Sequence, residues 1–423
     1  MEPILKEKTW EAAMHEMLTQ DETLPLRPHK ILITTDLYLP SVNGVVTSIL
    51  NLIHELRKLE YEVRILTTSY DNQYHHDTDE QVYYMKSIPC KVYPGIRMPL
   101  NYFHHEYLDE LIAWHPDIVH SNCEFFSFQY AKKIVAETGA KFVHTYHTLY
   151  EQYASYLPLH AGAERMIALA SQLRLEHVDT VIAPTNKTKE ALETYGVKSP
   201  IAVIPTGISL DKFREPVDET KTAALRKQYG IENCRVLLSL GRVGKEKNIE
   251  ELIRYFDIFL KRREKGAEPV KFLIVGGGPD MERLQALTEE LQLTDRIIFT
   301  GMIPYADIRQ YYALGDVFVC ASTSETQGLT YVEALAVGLP MVCRADPALD
   351  GVVTPGVNGY RYVDAGEFST YVNRILDTPP LAAMMQNENI KNAESFSKER
   401  FALNAANLYQ TLYEKSDAEE SMA

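Results

Sequence analysis

The sequence predicts an α/β fold of two Rossmann-like, doubly wound lobes facing a cleft. Three observations lead there. Short apolar segments of strand length alternate with longer segments of helical spacing along most of the chain, the pattern of parallel strands joined by crossover helices. The alternation pauses at the Pro-Thr-Gly turn of "PIAVIPTGISLDKF" and then restarts. A chain of 423 residues is also long enough to bury two or more separate cores.

Residues 1–28 precede the first convincing strand and carry Leu5, Trp10, Met14, Met17 and Leu18 near helical spacing. That predicts a short amphipathic helix, packed on the body of the protein or touching a membrane or partner. From His29 the order is strand "KILITTD", loop "LYLPSVNG", helix "VVTSILNLIHELRKLEY" and strand "EVRILTTS", one βαβ unit. Strands "DIVHSN", "KFVHTYH" and "TVIAPT", with helices at 125–137, 161–177 and 186–195, complete a first lobe over 29–207. The second lobe, 208–395, reads as strands "RVLLSLG", "KFLIVGG", "RIIFTG", "VFVCAS" and "PMVCR" with helices near 249–264, 279–291, 305–313 and 329–337. The last region, 396–423, holds a helix over 397–415 bearing Phe401, Leu408, Leu412 and Tyr413, then a polar tail. That helix could pack across either lobe.

Apolar residues at 45% and charged residues at 24% match soluble globular proteins and argue against wholesale disorder. Against 43 Lys and Arg stand 58 Asp and Glu, a net charge of -15 with no basic run, which argues against a nucleic-acid groove. Cys90, Cys123, Cys234, Cys320 and Cys343 are far apart and form no CxxC pair, as expected of a reducing cytoplasm without disulfides or zinc ribbons. No apolar stretch approaches the ~20 residues of a membrane span, and the N-terminus lacks the apolar region of a signal peptide. No histidine follows His177, so histidine-based metal chemistry is excluded from the second lobe.

Neither "SVNGVV" nor "GRVGKEKN" supplies the G-x-G-x-x-G of a dinucleotide site, which lowers the case for hydride transfer. Asp77 and Asp79 in "HHDTD" have the look of a metal-binding pair, but with His75 and His76 they read as a solvated turn without a flanking strand. The informative segment is "CASTSETQGLTYVEALAVGLPMV". A strand ends at Ala321, a polar loop carries Glu325, and Gly328 permits close backbone approach before a helix containing Glu333. The free N–H groups of such a helix start suit a phosphate, and the two carboxylates suit sugar hydroxyls. Arg242 and Lys247 follow a strand that ends at Gly241, which aims two cations at the same cleft, while Lys245 reads as solvated surface. In the first lobe Gly44 sits at a strand-to-helix turn where a diphosphate could approach backbone. His144 reads as core, and His147 as the residue beside the reacting group. Tyr150, Tyr153 and Tyr156 follow at helical intervals.

Through "GRVGKEKN", "VGGGP", "GMIPYADI" and the E-x7-E element "SETQGLTYVEALAVGLP", residues 29–415 resemble the retaining glycosyltransferases of family 4, which have the GT-B fold and use nucleotide-activated sugars. With "TTDLYLPSVNGVVTSI" and "HTYHTLYEQY", the chain is most similar to the bacterial 1,2-diacylglycerol 3-α-glucosyltransferases, which begin glycolipid and lipoteichoic acid anchor synthesis. The resemblance implies that Glu333 holds the ribose, Arg242 and Lys247 the diphosphate, and Glu325 the sugar hydroxyls. His147 would lie near the anomeric side and Gly44 would admit the diphosphate. Backbone at Gly328, Leu329 and Thr330 would complete the phosphate cradle, with the base near Met302 and Ile303. It further implies a UDP-sugar donor, no metal and no other cofactor, and a lipid acceptor reached at the inner face of the cell membrane. Met98 and Phe103 in "GIRMPLNYF", with Tyr150 and Tyr153, are the candidates for the acceptor or membrane side, since such side chains favour a lipid interface. A soluble sugar, sugar phosphate or glycan acceptor is the alternative, and a catalytically silent GT-B scaffold protein a remoter one.

Overall fold

The first sheet of the computed structural model, which describes residues 28–41, 43–90, 96–100, 105–149 and 163–420, has its strands in the order β10-β9-β8-β7-β1-β2-β4-β3. These are β1 (Lys30–Thr34), β2 (Glu62–Thr68), β3 (His75–Asp77), β4 (Val82–Met85), β7 (Ile118–Ser121), β8 (Lys141–Thr145), β9 (Thr180–Ala183) and β10 (Ile201–Val203). A separate antiparallel pair, β5 (Ser87–Pro89) and β6 (Arg97–Pro99), flanks it. All neighbours in the main sheet are parallel except β3 and β4. The helices of this lobe are α1 (Gly44–Lys58), α2 (Glu106–Trp114), α3 (Phe126–Thr138), α4 (Ala163–Leu175) and α5 (Asn186–Thr194).

The second sheet is wholly parallel, in the order β13-β12-β11-β14-β15-β16. Its strands are β11 (Arg235–Leu240), β12 (Val270–Val275), β13 (Ile297–Phe299), β14 (Val317–Cys320), β15 (Met341–Arg344) and β16 (Gly359–Tyr362). Around them lie α6 (Leu210–Arg214), α7 (Glu219–Gln228), α8 (Ile249–Arg262), α9 (Met281–Glu290), α10 (Ile308–Tyr312), α11 (Leu329–Ala336), α12 (Ala365–Leu376) and α13 (Pro379–Ala393). Helices on both faces explain the apolar runs "VLL" and "FLIV": a strand buried on both sides has no polar face to alternate. In each sheet the strand order reverses beside one strand, at β1/β7 and at β11/β14, and a crevice opens there at the carboxyl ends.

The chain crosses between the sheets twice, and the crossings bond to each other: Ile208 N–H donates to Phe396 O and Lys398 N–H to Ile208 O, both at 2.9 Å. This contact explains the glycine of the Pro-Thr-Gly turn, because a Cβ on Gly207 would lie 2.3 Å from the Ser397 carbonyl oxygen. The last helix, α14 (Lys398–Glu420), returns to the first lobe. Small side chains at Ala402, Ala405 and Ala406 let it settle close to α1, Phe401, Tyr409 and Leu412 join the core of Ile31, Ile33 and Ile53, and Lys398 pairs with Glu55 at 2.8 Å.

Two expectations need correction. His75–Asp77 is an antiparallel edge strand, not a loop without strand neighbours, and it is held in part by the His76 ring stacked 3.9 Å from that of Tyr83. The last helix runs on to Glu420 through part of the expected polar tail. The helix expected within 1–28, together with Phe103, Tyr150, Tyr153 and Tyr156, falls outside the described residues.

Candidate active site

Between the lobes, at the carboxyl ends of both switch-point strand pairs, lies a cavity of about 940 Å³. Its first-lobe wall includes Asn43, Gly44 and His147. Its second-lobe wall includes Arg242, Lys247, Gly276, Gly277, Gly278, Met302, Ile303, Glu325, Gly328, Leu329 and Thr330. Every donor-side or catalytic residue singled out from the sequence except Glu333 therefore converges on one space.

The loop from β14 to α11 reaches this cavity through Gly328. That residue has φ 77°, and a Cβ there would lie 2.6 Å from the Tyr331 ring, so both backbone and packing call for glycine. α11 begins at Leu329, and Leu329 and Thr330 of its first turn stand at the cavity wall, where a helix start presents backbone N–H groups. Glu325 precedes the turn, and its Oε1 accepts from Lys247 Nζ at 2.5 Å. Burial pushes this carboxyl up, but Lys247, Ser322 and Lys187 outweigh burial and leave it below the ordinary carboxylate range. Two residues that the sequence assigns to different parts of a ligand are thus partners of each other. Arg242, half-exposed, similarly pairs with the buried Glu246 at 2.5 Å.

Glu333 departs from expectation. It is buried on α11 and does not line the cavity: Tyr312 Oη donates to Oε2 at 2.7 Å and Tyr305 Oη to Oε1 at 3.5 Å. Tyr305 and Met302, the latter 84% exposed, line the cavity instead. Burial raises the Glu333 carboxyl to about 7 against the pull of Tyr312, Lys212 and Tyr305. Lys212 in turn lies over the Tyr305 ring, 3.3 Å from its centroid.

On the first lobe, Asn43 caps α1 by accepting from Val46 N–H at 3.0 Å, and Gly44 faces Leu329 across the cleft. His147 Nε2 donates to Asn122 Oδ1 at 3.0 Å, which leaves Nδ1 as an acceptor. Burial lowers this imidazole to about 4, with Glu124 opposing and His144 adding, so it is neutral near pH 7. His144 is fully buried against Ser121 and Glu124, as its reading as core requires. Asp36 accepts from Phe126 N–H, Ser127 N–H and Ser127 Oγ, which anchors the start of α3 beside the crevice.

Asn122, Lys212, Glu246, Tyr305, Tyr312, Lys187, Gln327 and Asp346 all contribute to the site or its walls and were missed from sequence. Isolated polar residues in "SNCEF" or "CRADPAL" give no periodicity or spacing that would single them out. Only "GMIPYADI", with Tyr305 inside it, held a signal that could have been followed further. Asp77 Oδ1 accepts from Asp79 and Glu80 N–H groups, and so closes its own turn.

The family described as Glycosyl transferases group 1 matches residues 221–392, and that described as Glycosyltransferase Family 4 matches residues 42–212. The α-monoglucosyldiacylglycerol synthase of Streptococcus pneumoniae is 34% identical over 375 residues, 86% of this chain and 82% of that protein. The enzyme of the same name from Acholeplasma laidlawii is 29% identical over 398 residues, 92% of this chain and 98% of that one. Among solved structures, sucrose-phosphate synthase from Thermosynechococcus elongatus superposes with a TM-score of 0.70 at 22% identity, covering 91% of this chain and 99% of that one. That likeness is one of fold.

Proposed function

This chain belongs to the glycosyltransferases of group 1 and family 4, and we propose that it is a retaining hexosyltransferase moving glucose from UDP-glucose to the hydroxyl of diacylglycerol. The observation that carries the reading is the convergence of Arg242, Lys247, Glu325 and the start of α11 on one cavity wall. Cations and free N–H groups suit a diphosphate, and a fixed carboxylate suits sugar hydroxyls. Each charge-assisted contact would contribute about 1.5–3 kcal/mol, and more as negative charge builds on the departing phosphate. No metal is needed in this scheme, because the two cations and the helix start carry the charge. The base would lie against Met302 and Ile303. Glu333 would reach a ribose only with Tyr305, which stands at the cavity wall.

Among the described residues lining the cavity, Glu325 is the only carboxylate, and Lys247 engages it. A double displacement through a protein carboxylate on the far side of the sugar therefore has no evident nucleophile. Front-face transfer fits better: the acceptor hydroxyl attacks from the side of the leaving group, and the departing phosphate oxygen takes its proton. The protein's part is orientation and charge stabilisation. His147, neutral and held by Asn122, offers Nδ1 to a sugar hydroxyl.

The names of the two synthases support a lipid acceptor. No helix of the described residues is long and apolar enough to cross a membrane; the docking in this reading is peripheral, at the inner face of the cell membrane. Leu39, Met98 and Leu100 are exposed on the first lobe, as are Met166, Leu169 and Leu173 along one face of α4. The sequence through residue 207 carries a net charge of -8, so docking would be shallow, hydrophobic and little disturbed by salt. Radiolabelled UDP-glucose incubated with diacylglycerol and extracted into organic solvent tests the reading. Label in the lipid phase is expected; label confined to a water-soluble acceptor would overturn the lipid assignment. Liposome flotation of a Met98→Asp/Phe103→Asp variant against wild type tests the docking side.

A further inference from the structure

The loop "ASTSETQG", residues 321–328, joins neither sheet, so its backbone polar groups need partners elsewhere. Several come from the opposite lobe and the crossing. Thr185 Oγ1 donates to the Thr326 carbonyl at 2.6 Å, and Thr326 Oγ1 donates to the His147 carbonyl at 2.9 Å. The Gln327 amide spans Thr206, accepting from its N–H at 2.7 Å and donating to its carbonyl at 2.8 Å. The most informative contact is that of Lys187, in the first turn of α5. Its ammonium donates to the Thr323 carbonyl at 2.6 Å and to both carboxylate oxygens of Asp346 at 2.9 Å. All three of its protons are thereby used across the lobe boundary.

Asp346 is itself fixed, since its Oδ1 also accepts from Ala348 N–H at 2.8 Å. The pair is shielded, with side chains 14% and 8% exposed. A pair that gives up that much hydration is a weak device for stability, and its use is better sought in where it holds the chain. It holds the loop that carries Glu325 two residues beyond Thr323, while Lys247 engages Glu325 from the second lobe.

We propose that Lys187 is a positioning residue: its bonds to Thr323 and Asp346 fix the Glu325 loop when the lobes meet, so that docking of the first lobe completes a donor site built on the second. The proposal rests on the donor role given to Glu325 above. Because Arg242, Lys247 and the start of α11 all belong to the second lobe, loss of Lys187 leaves nucleotide binding in place and slows transfer.

The test uses the full chain with Lys187→Ala, Lys187→Arg and the double variant Lys187→Met/Asp346→Leu. The double variant removes both charges together and so avoids stranding one in a buried place. Calorimetry with UDP should give affinities within about threefold of wild type, whereas kcat should fall about 10–100-fold in Lys187→Ala and in the double variant. Lys187→Arg should recover part of that loss. Hydrogen exchange of the 322–327 amides should quicken in Lys187→Ala. Unchanged exchange there, a kcat within twofold of wild type in the double variant, or a UDP affinity that falls as far as kcat would each overturn the proposal. Failure of the acceptor assignment looks different: wild type would leave diacylglycerol unlabelled, while the exchange and UDP measurements still report on Lys187.

Discussion

The two crevices, one at each switch point, are built on sheets that share their strand order about the switch, although the first adds β10 and the antiparallel β3, and they hold different chemistry. In the second lobe the loops after β11 and β14 bring forward Arg242, Lys247 and Glu325, charged side chains in ion pairs. In the first lobe the loops after β1, β7 and β8 bring Asp36, Asn122 and His144, which are buried, and His147, which is partly buried, all tied by hydrogen bonds. The difference teaches that a shared topology supplies a place and not a ligand: the cations of one crevice suit a diphosphate, the hydrogen-bonding side chains of the other a hydroxyl.

The largest effect that would sharpen this contrast is expected from Glu325→Ala, which should lower kcat by about 10³-fold while leaving UDP affinity nearly unchanged, because the lost carboxylate touches sugar and not nucleotide. Turnover paired with calorimetry reads it; intact turnover with lost UDP binding would erase the assignment. Lys247→Ala and Arg242→Ala should weaken UDP binding and kcat/KM together by about 10–100-fold. Lys247→Ala should in addition raise the Glu325 carboxyl, which would then be buried without its main cation. Wild-type UDP affinity in both variants would show that these cations serve only their own carboxylate partners.

The ionisable groups at the site contrast in the direction of their pH dependence. Glu333 is raised from 4.5 to about 7, so its favourable contribution to folding is complete below pH 4.5 and is lost as pH rises through 7. His147 is lowered from 6.5 to about 4, so its contribution is complete above pH 6.5 and is lost as pH falls through 4. Urea melts of Glu333→Gln against wild type should therefore separate by a further ~2–3 kcal/mol between pH 5 and pH 8, the variant gaining. Parallel curves would place the Glu333 carboxyl at its ordinary value. The smallest effect expected is in Gly207→Ala, where the Ser397 carbonyl would have to shift, at a cost of about 1–3 kcal/mol in unfolding free energy with UDP affinity kept. An unchanged denaturation midpoint would mean that the two crossings yield easily.

The sequence by itself determined the parts that local periodicity and glycine placement encode. The strands "RVLLSLG" and "KFLIVGG", the helix after Gly328, the break at the Pro-Thr-Gly turn and the convergence of Glu325, Arg242, Lys247 and His147 on strand ends could all be read there, because doubly wound sheets put every such end on one side. Tertiary structure alone decided the pairings. That Lys247 meets Glu325, that Glu333 lies behind Tyr305 and Tyr312, that Lys187 reaches Asp346, and that α14 returns to the first lobe are contacts between residues far apart in the chain. No spacing encodes them: a side chain's partner across a lobe boundary depends on how two separately folded sheets come together, and a run of residues constrains only what lies within a few turns of itself.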